Sequence, residues 1–236
     1  PEAMSQDRSK DRTPAPRADA GSVDSFLEAA KAVPATGTKG TRGRLIFAMD
    51  ATASREPTWA AARDIQAAMF QEAAALGGLE VQLMFYRGFG ESRASGWVSD
   101  TGELTRLMGK VSCLAGATQI ETVLKHAARE ARKGRVHALV FVGDSCEEDV
   151  DRLGKAAGEL GLLGVPAFLF HEGGDPVAAR AFQHVAKLTG GACLDFDAKS
   201  PGQLRALLSA VAVFAAGGRA ALADYGRRAG GEVLRL

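Results

Sequence analysis

Three residues with oxygen side chains, Asp50, Thr52 and Ser54, stand two apart in D-A-T-A-S, directly after the apolar run R-L-I-F-A-M. In an extended loop alternate side chains point the same way, so the three oxygens converge. Converging hard oxygens suit Mg2+ or Mn2+ and not zinc, which prefers nitrogen and sulfur. The same residue types also cap helices, and a helix is expected just downstream, so the triplet by itself reads as a cap. Two distant segments alter that balance. G-A-T, ending in Thr118, precedes an amphipathic stretch, and G-D-S, centred on Asp144, follows H-A-L-V-F-V. Capping accounts for each segment singly, but poorly for the ordered set of Asp50, Thr52, Ser54, Thr118 and Asp144.

For these segments to meet, the elements carrying them must share a sheet edge. Apolar runs predict strands at 44–49, 80–87, 137–142, 165–170 and 192–196. Helical periodicity, with Gly and Pro punctuation, predicts helices at 57–76, 101–111, 120–133, 150–162, 176–188 and 201–216. Residues 88–100 read as a loop or hairpin with a short strand near Trp97. This alternation implies an α/β class: a doubly wound, mostly parallel central sheet flanked by helices on both faces. Ligands of such sheets sit at the carboxyl ends of the strands, here 50–57, 88–100, 112–118, 143–149 and 171–176. Residues 1–43 read as a disordered polar tail. It contains a Gly/Thr-rich linker and a short amphipathic helix at 22–33 (Val23, Phe26, Leu27, Ala30, Val33), expected to dock on the domain. The domain is expected over 44–216, and 217–236 as a weaker C-terminal extension.

With those segments in place the sequence resembles the von Willebrand factor A domains. L-I-F-A-M-D-A-T-A-S is similar to their first strand and loop, G-A-T-Q-I-E-T-V-L to their Thr loop running into a helix, and A-L-V-F-V-G-D-S to their fourth strand and Asp loop. The resemblance covers roughly 44–216 and carries the family's Rossmann-like fold with it. It implies a metal-ion-dependent adhesion site. Thr52, Ser54 and Thr118 would ligate by hydroxyl, directly or through water, and Asp50 and Asp144 more often through bound waters. A protein partner's Asp or Glu carboxylate would replace the water facing solvent. Two departures stand out: Gly143-Asp144-Ser145 where the family commonly has Thr-Asp-Gly, and Thr52 where serine is more usual. The first bears on how Asp144 is held; the second keeps the hydroxyl. The resemblance is closest to intracellular bacterial members, which usually work inside multiprotein assemblies.

Other features bound the function. The 29 basic residues balance 28 acidic ones, which argues against nucleic acid or an anionic membrane as the main partner. Three unpaired-looking cysteines, no apolar run in the first forty residues and no stretch near eighteen apolar residues lead us to expect a cytoplasmic protein without a membrane span. Arg55, Trp59, Phe89, Arg93 and Trp97 are candidates for gripping a partner, since Arg and Trp favour binding hot spots. Packing of Phe89 and Trp97 beneath the loop is an equally good account. The acidic run 144–151 reads as a helix start, and the four histidines lack metal spacing. Catalysis is not expected. Phosphoryl transfer of the haloacid-dehalogenase type needs D-x-D, and Thr52 stands where the second carboxylate belongs; nucleotide-loop and nucleophile-elbow motifs are absent. A metal-free scaffold domain is the other alternative.

Overall fold

The structure, a computed structural model, describes residues 42–197, 199 and 201–233, so the expected helix at 22–33 lies outside the described residues. In chain order the elements are β1 (Gly43–Asp50), α1 (Glu56–Ile65), α2 (Ala67–Ala74), β2 (Leu79–Arg87), β3 (Glu91–Val98), α3 (Thr101–Met108), α4 (Ile120–Lys133), β4 (Ala138–Gly143), α5 (Val150–Leu162), β5 (Ala167–Glu172), α6 (Pro176–Thr189), β6 (Ala192–Phe196) and α7 (Pro201–Val233). The strands form one sheet in the order β3-β2-β1-β4-β5-β6, with every pair parallel except β2 and β3.

β1 and β4 lie at the centre. Their continuous apolar runs follow from burial on both faces. Leu45, Phe47 and Met49 point into a layer built by α1, α2, α3 and α7, and Ile46 and Ala48 into a layer built by α4, α5 and α6. Asp50 continues the second set. It is the only residue of β1 that ends the apolar run with a charge, and it does so at the carboxyl edge.

Four expectations change. The helix expected over 57–76 is divided at Gln66, whose buried amide leaves the apolar face to donate to the Thr101 carbonyl at 3.2 Å. The segment after Gly90 is a full strand, β3, antiparallel to β2. Its exposed edge carries E-S-R-A-S-G, so the apolar alternation that reveals other strands is missing. The chain beyond Gly217 remains helical to Val233, through a break at Gly218 (φ 71°) that only glycine adopts readily. Leu222 and Tyr225 of that part reach the core. Finally, Pro201–Ala229 of α7 is long and apolar enough to cross a membrane by length and composition, with a mean hydropathy of 1.7 over an 18-residue stretch. Yet 67% of that stretch is buried in the protein, because it is the core helix of its layer.

At the opposite edge β1 and β4 are tied by one histidine. The Arg44 amide donates to His137 Nδ1 at 2.9 Å, and the His137 amide donates to the Arg44 carbonyl at 2.9 Å. Burial, and then the charges of Arg135 and Arg44, lower the His137 pKa from 6.5 to about 4. The unfolded chain therefore binds more protons than the folded one between these values. The stability His137 permits is complete above pH 6.5 and is lost as pH falls toward 4, by about 3 kcal/mol. His126, also lowered by burial, acts in the same direction. Urea midpoints measured from pH 7 to 4.5 should fall steeply in the parent and less steeply in His137→Gln; parallel profiles would refute the assignment.

Candidate metal centre

Each segment of the candidate site is positioned by a different backbone device. Asp50, 1% exposed, is held by β1, and its Oδ1 accepts the Thr52 amide at 2.7 Å. A 3-10 turn at Ala53–Arg55 then carries Ser54 outward, and the Ser54 hydroxyl donates to Asp144 Oδ2 at 3.0 Å. Asp144 follows the last residue of β4, and its Oδ1 accepts the Ser145 hydroxyl at 3.2 Å. Ser145, one of the departures from the family pattern, thus steadies the aspartate itself. Thr118 and Glu147 hold each other: the Thr118 amide meets Glu147 Oε2 at 3.3 Å, and the Glu147 amide donates to Thr118 Oγ1 at 3.2 Å. A hydroxyl that accepts one bond still has its hydrogen and a second lone pair to offer. The Thr118 loop is stitched to its neighbours by Leu114 N–H to the Ala51 carbonyl and Ala117 N–H to the Gly88 carbonyl, both 3.0 Å. All five residues therefore sit at one end of the sheet, as an Asp50–Thr52 pair, a Ser54–Asp144 pair, and Thr118 bonded to the segment that carries Asp144.

The acidic run is divided among three tasks rather than being one helix start. Asp149 caps α5, accepting the Arg152 amide at 3.0 Å. Glu148 reaches across to the start of α4, accepting from the amides of Ile120 and Glu121. Glu147 holds Thr118. Carboxylates at both helix starts suit the positive ends of the helix dipoles, and the α4 contact pins the turn after Thr118.

Electrostatics show what the arrangement can take. Burial raises the Asp50 pKa, against the lowering by the Thr52 amide and hydroxyl, and the charge of Asp144 adds to the rise. Asp50 Oδ2 is buried without a well-formed hydrogen bond, and the Tyr86 hydroxyl, likewise without one, acts on the Asp50 carboxyl at longer range. Tyr86, its register neighbour on β2, is buried beside it; burial and then the charge of Asp50 push that phenol well above its usual range, so it stays neutral. Arg55 is 1% exposed, its Nη2 paired with Glu172 Oε2 and its Nη1 3.6 Å from Asp144 Oδ2. Asp144 and Glu172 pair with this one guanidinium and Asp50 feels its charge at longer range, which leaves two negative charges in excess among these four groups when all are ionised. Among the described residues no group of three or more His, Cys, Asp or Glu could hold a metal; the donors here are two carboxylates and three hydroxyls. A buried carboxylate oxygen without a well-formed hydrogen bond, hard oxygen donors and an excess of two negative charges fit a hard divalent cation. A thiolate nucleophile is not on offer. Burial, then Glu56, pushes Cys113 to about 12, burial does the same to Cys193, and Cys146 is raised by burial.

The partner-gripping candidates divide sharply. Arg55 is an internal cation, and Trp59, 2% exposed, packs edge-on against Phe85 and donates Nε1–H to the Met108 carbonyl at 3.1 Å. Both face inward because the turn after Ser54 rolls α1 onto the sheet, so neither offers a surface to a partner. Trp97 is half-buried opposite Gln82, beneath the Arg44 guanidinium, at the far edge from Asp50. Arg93 is exposed on β3 and pairs with Glu91. Phe89, 89% exposed at the turn between β2 and β3, stands beside the Thr118 loop. Glu172 is not singled out by the sequence, although it falls within the expected carboxyl-end segment 171–176, and Ser145 stands out there only as a departure from the family pattern; neither belongs to a spaced motif.

No family model and no curated protein matches the sequence. Solved structures do match. A von Willebrand factor type A protein from Catenulispora acidiphila superposes with a TM-score of 0.61 at 14% identity, over 73% of this chain and 43% of that one. The SpRpn10 VWA domain gives 0.55 at 16% identity, over 72% of this chain and 95% of that one. Proximal thread matrix protein 1 from the mussel byssus, described with a zinc-occupied adhesion-site motif, gives 0.55 at 12% identity, over 75% and 48%. The chain thus spans less than half the length of the first and third of these and nearly all of the second. At such identities the likeness establishes architecture, and the sheet order with its single antiparallel edge strand agrees. The chain has the von Willebrand factor type A fold.

Proposed function

We propose that this chain binds one divalent cation through Asp50, Thr52, Ser54, Thr118 and Asp144 and uses it to grip a protein partner by an Asp or Glu carboxylate. The observation that carries this is the buried Asp50 Oδ2, without a well-formed hydrogen bond, at a sheet edge that gathers three hydroxyls and an excess of two negative charges over Asp50, Asp144, Glu172 and Arg55. A bound Mg2+ or Mn2+ would supply an electrophilic position for that carboxylate, left strongly positive because three of the five ligands are neutral hydroxyls. The chain's own part is to orient. Asp50 is fixed by β1, Ser54 and Ser145 steady Asp144, and Glu147 turns the Thr118 oxygen. Among the described residues, four of the seven exposed large hydrophobics, Phe89, Leu114, Val150 and Val177, lie in loops or helix starts at this same edge, which favours a protein partner over a small ion-borne ligand. The function is therefore binding rather than catalysis. The three unpaired cysteines favour a reducing compartment, the cytoplasm.

The byssus protein's zinc-occupied motif shows that such a site accepts zinc in that protein, so Zn2+ belongs in the test beside Mg2+ and Mn2+. Titration calorimetry on chelator-stripped protein should give one saturable site, absent in Asp50→Ala and Thr118→Ala. A parent that takes up none of the three ions would reject the reading and leave a metal-free scaffold.

A further inference from the structure

The guanidinium of Arg55 is contested. Asp144 needs its Oδ2 for the site, and a fully paired Arg55 would occupy that carboxylate and place a positive charge beside any incoming cation. Instead Arg55 Nη2 pairs with Glu172, while Nη1 stands 3.6 Å from Asp144 Oδ2, beyond hydrogen-bond reach. Glu172 is itself anchored by Thr58 on α1, whose hydroxyl donates to the same Oε2 at 2.6 Å. Both members of the pair are buried, Arg55 at 1% and Glu172 at 14% side-chain exposure, so solvent does little to screen them. Glu172 has no contact with Asp50, Thr52, Ser54 or Thr118 among the hydrogen bonds and ion pairs described, and its place at the end of β5 puts it one strand beyond Asp144.

We propose that Glu172 sets the affinity of the site for a divalent cation by drawing the Arg55 guanidinium off Asp144. Glu172 is a positioning residue: it acts on the ion only through Arg55 and Asp144. With it, the guanidinium stays at ion-pair distance from Asp144 but outside hydrogen-bond reach, and only the Ser54 and Ser145 hydroxyls bond the carboxylate; without it, Arg55 closes onto Asp144 and the site carries its own cation. This rests on the metal-binding reading above.

The test titrates Mg2+ and Mn2+ into stripped parent, Glu172→Gln and the double variant Arg55→Met/Glu172→Gln, with thermal melts in chelator to show that each is folded. Glutamine keeps the acceptor for Thr58 and removes the charge. Glu172→Gln should weaken ion binding by about tenfold or more, in the range that partners behind metal ligands usually command. The double variant, with no guanidinium left to close the site, should return toward the parent affinity. A merely structural role for Glu172 would leave the double variant at least as weak as the single one, and that result, or unchanged affinity in Glu172→Gln, overturns the proposal. Failure of the metal reading is a separate result, since it shows in the parent titration before any variant is compared.

Discussion

Arg55→Met alone is expected to lower stability by about 3–5 kcal/mol, the usual consequence of stranding a buried charge. The substitution removes no surface contact and little volume. What it leaves behind is Glu172, largely buried, and Asp144, now without the cation that stood near both. Thr58 still donates to Glu172, but one neutral hydroxyl does not offset a desolvated carboxylate. The loss should therefore come from the orphaned partner and not from the missing arginine. Denaturant midpoints in chelator can separate the two: Arg55→Met/Glu172→Gln should recover most of the deficit, because a neutral pair needs no counter-charge. If the single variant unfolds at the parent midpoint, the ion pair does not support the fold. If single and double variants are equally destabilised, the cause is packing. Stability in chelator and ion affinity should thus move independently, with the single arginine variant the least stable and the single glutamate variant the weakest binder.

The fold was readable because its determinants are local. R-L-I-F-A-M and H-A-L-V-F-V are strands buried on both faces, and that leaves an unbroken apolar run that no surface element shows. α4 and α5 were readable from end to end, since their apolar stripes are regular and Gly134, Asp149 and Gly164 mark three of the four boundaries. The elements that were missed lack such marks. β3 is held by β2 and by Ser95, which takes the Leu83 amide, while its own side chains mostly face solvent. The second part of α7 is Ala-, Gly- and Arg-rich, and only its packing keeps it helical beyond Gly218.

The candidate site divides in the same way. Asp50, Thr52, Ser54 and Asp144 are legible in the sequence because they follow strand ends, and Thr118 because it stands in a Gly-containing loop just before a helix. The pairing of Arg55 could not. In the sequence it is a charged residue after a serine, in a place that reads as surface; only the 3-10 turn directs it inward to meet Glu172, 117 positions later in the numbering. Trp59 was misread for the same reason. A residue's exposure on a helix start depends on how the preceding turn rolls the helix, and five residues of loop do not record that. Long-range charge pairs leave no periodic trace, so Glu172, Glu147 and Glu148 looked like ordinary loop and helix-start acids.

Gly116→Ala should cost the site at least about tenfold in ion affinity without touching a ligand, comparable to losing a residue that orients one. A Cβ on Gly116 would lie 2.0 Å from the Gly88 carbonyl oxygen and within 2.4 Å of the Gly88 carbonyl carbon and Cα. All three are backbone atoms in the turn between β2 and β3, so no side chain can rotate away. One of the two segments must retreat, and the Ala117 amide bond to that same carbonyl is lost as it does. Thr118 is the next residue but one. Its amide and hydroxyl are both committed to Glu147, so a displaced loop either carries Glu147 with it or gives up those bonds. In both cases the Thr118 oxygen leaves the place in which Glu147 holds it at this edge of the sheet. The cost to stability is smaller, about 1–3 kcal/mol as for other overpacked positions, so the protein should remain folded and binding should be measurable. Gly158→Ala provides the control. That glycine lies within α5 with nothing near its would-be Cβ, and alanine there should leave affinity unchanged while raising the melting temperature slightly. Retained affinity in Gly116→Ala would mean that Thr118 is not a ligand, since no ligand two residues from so close a backbone contact could keep its place.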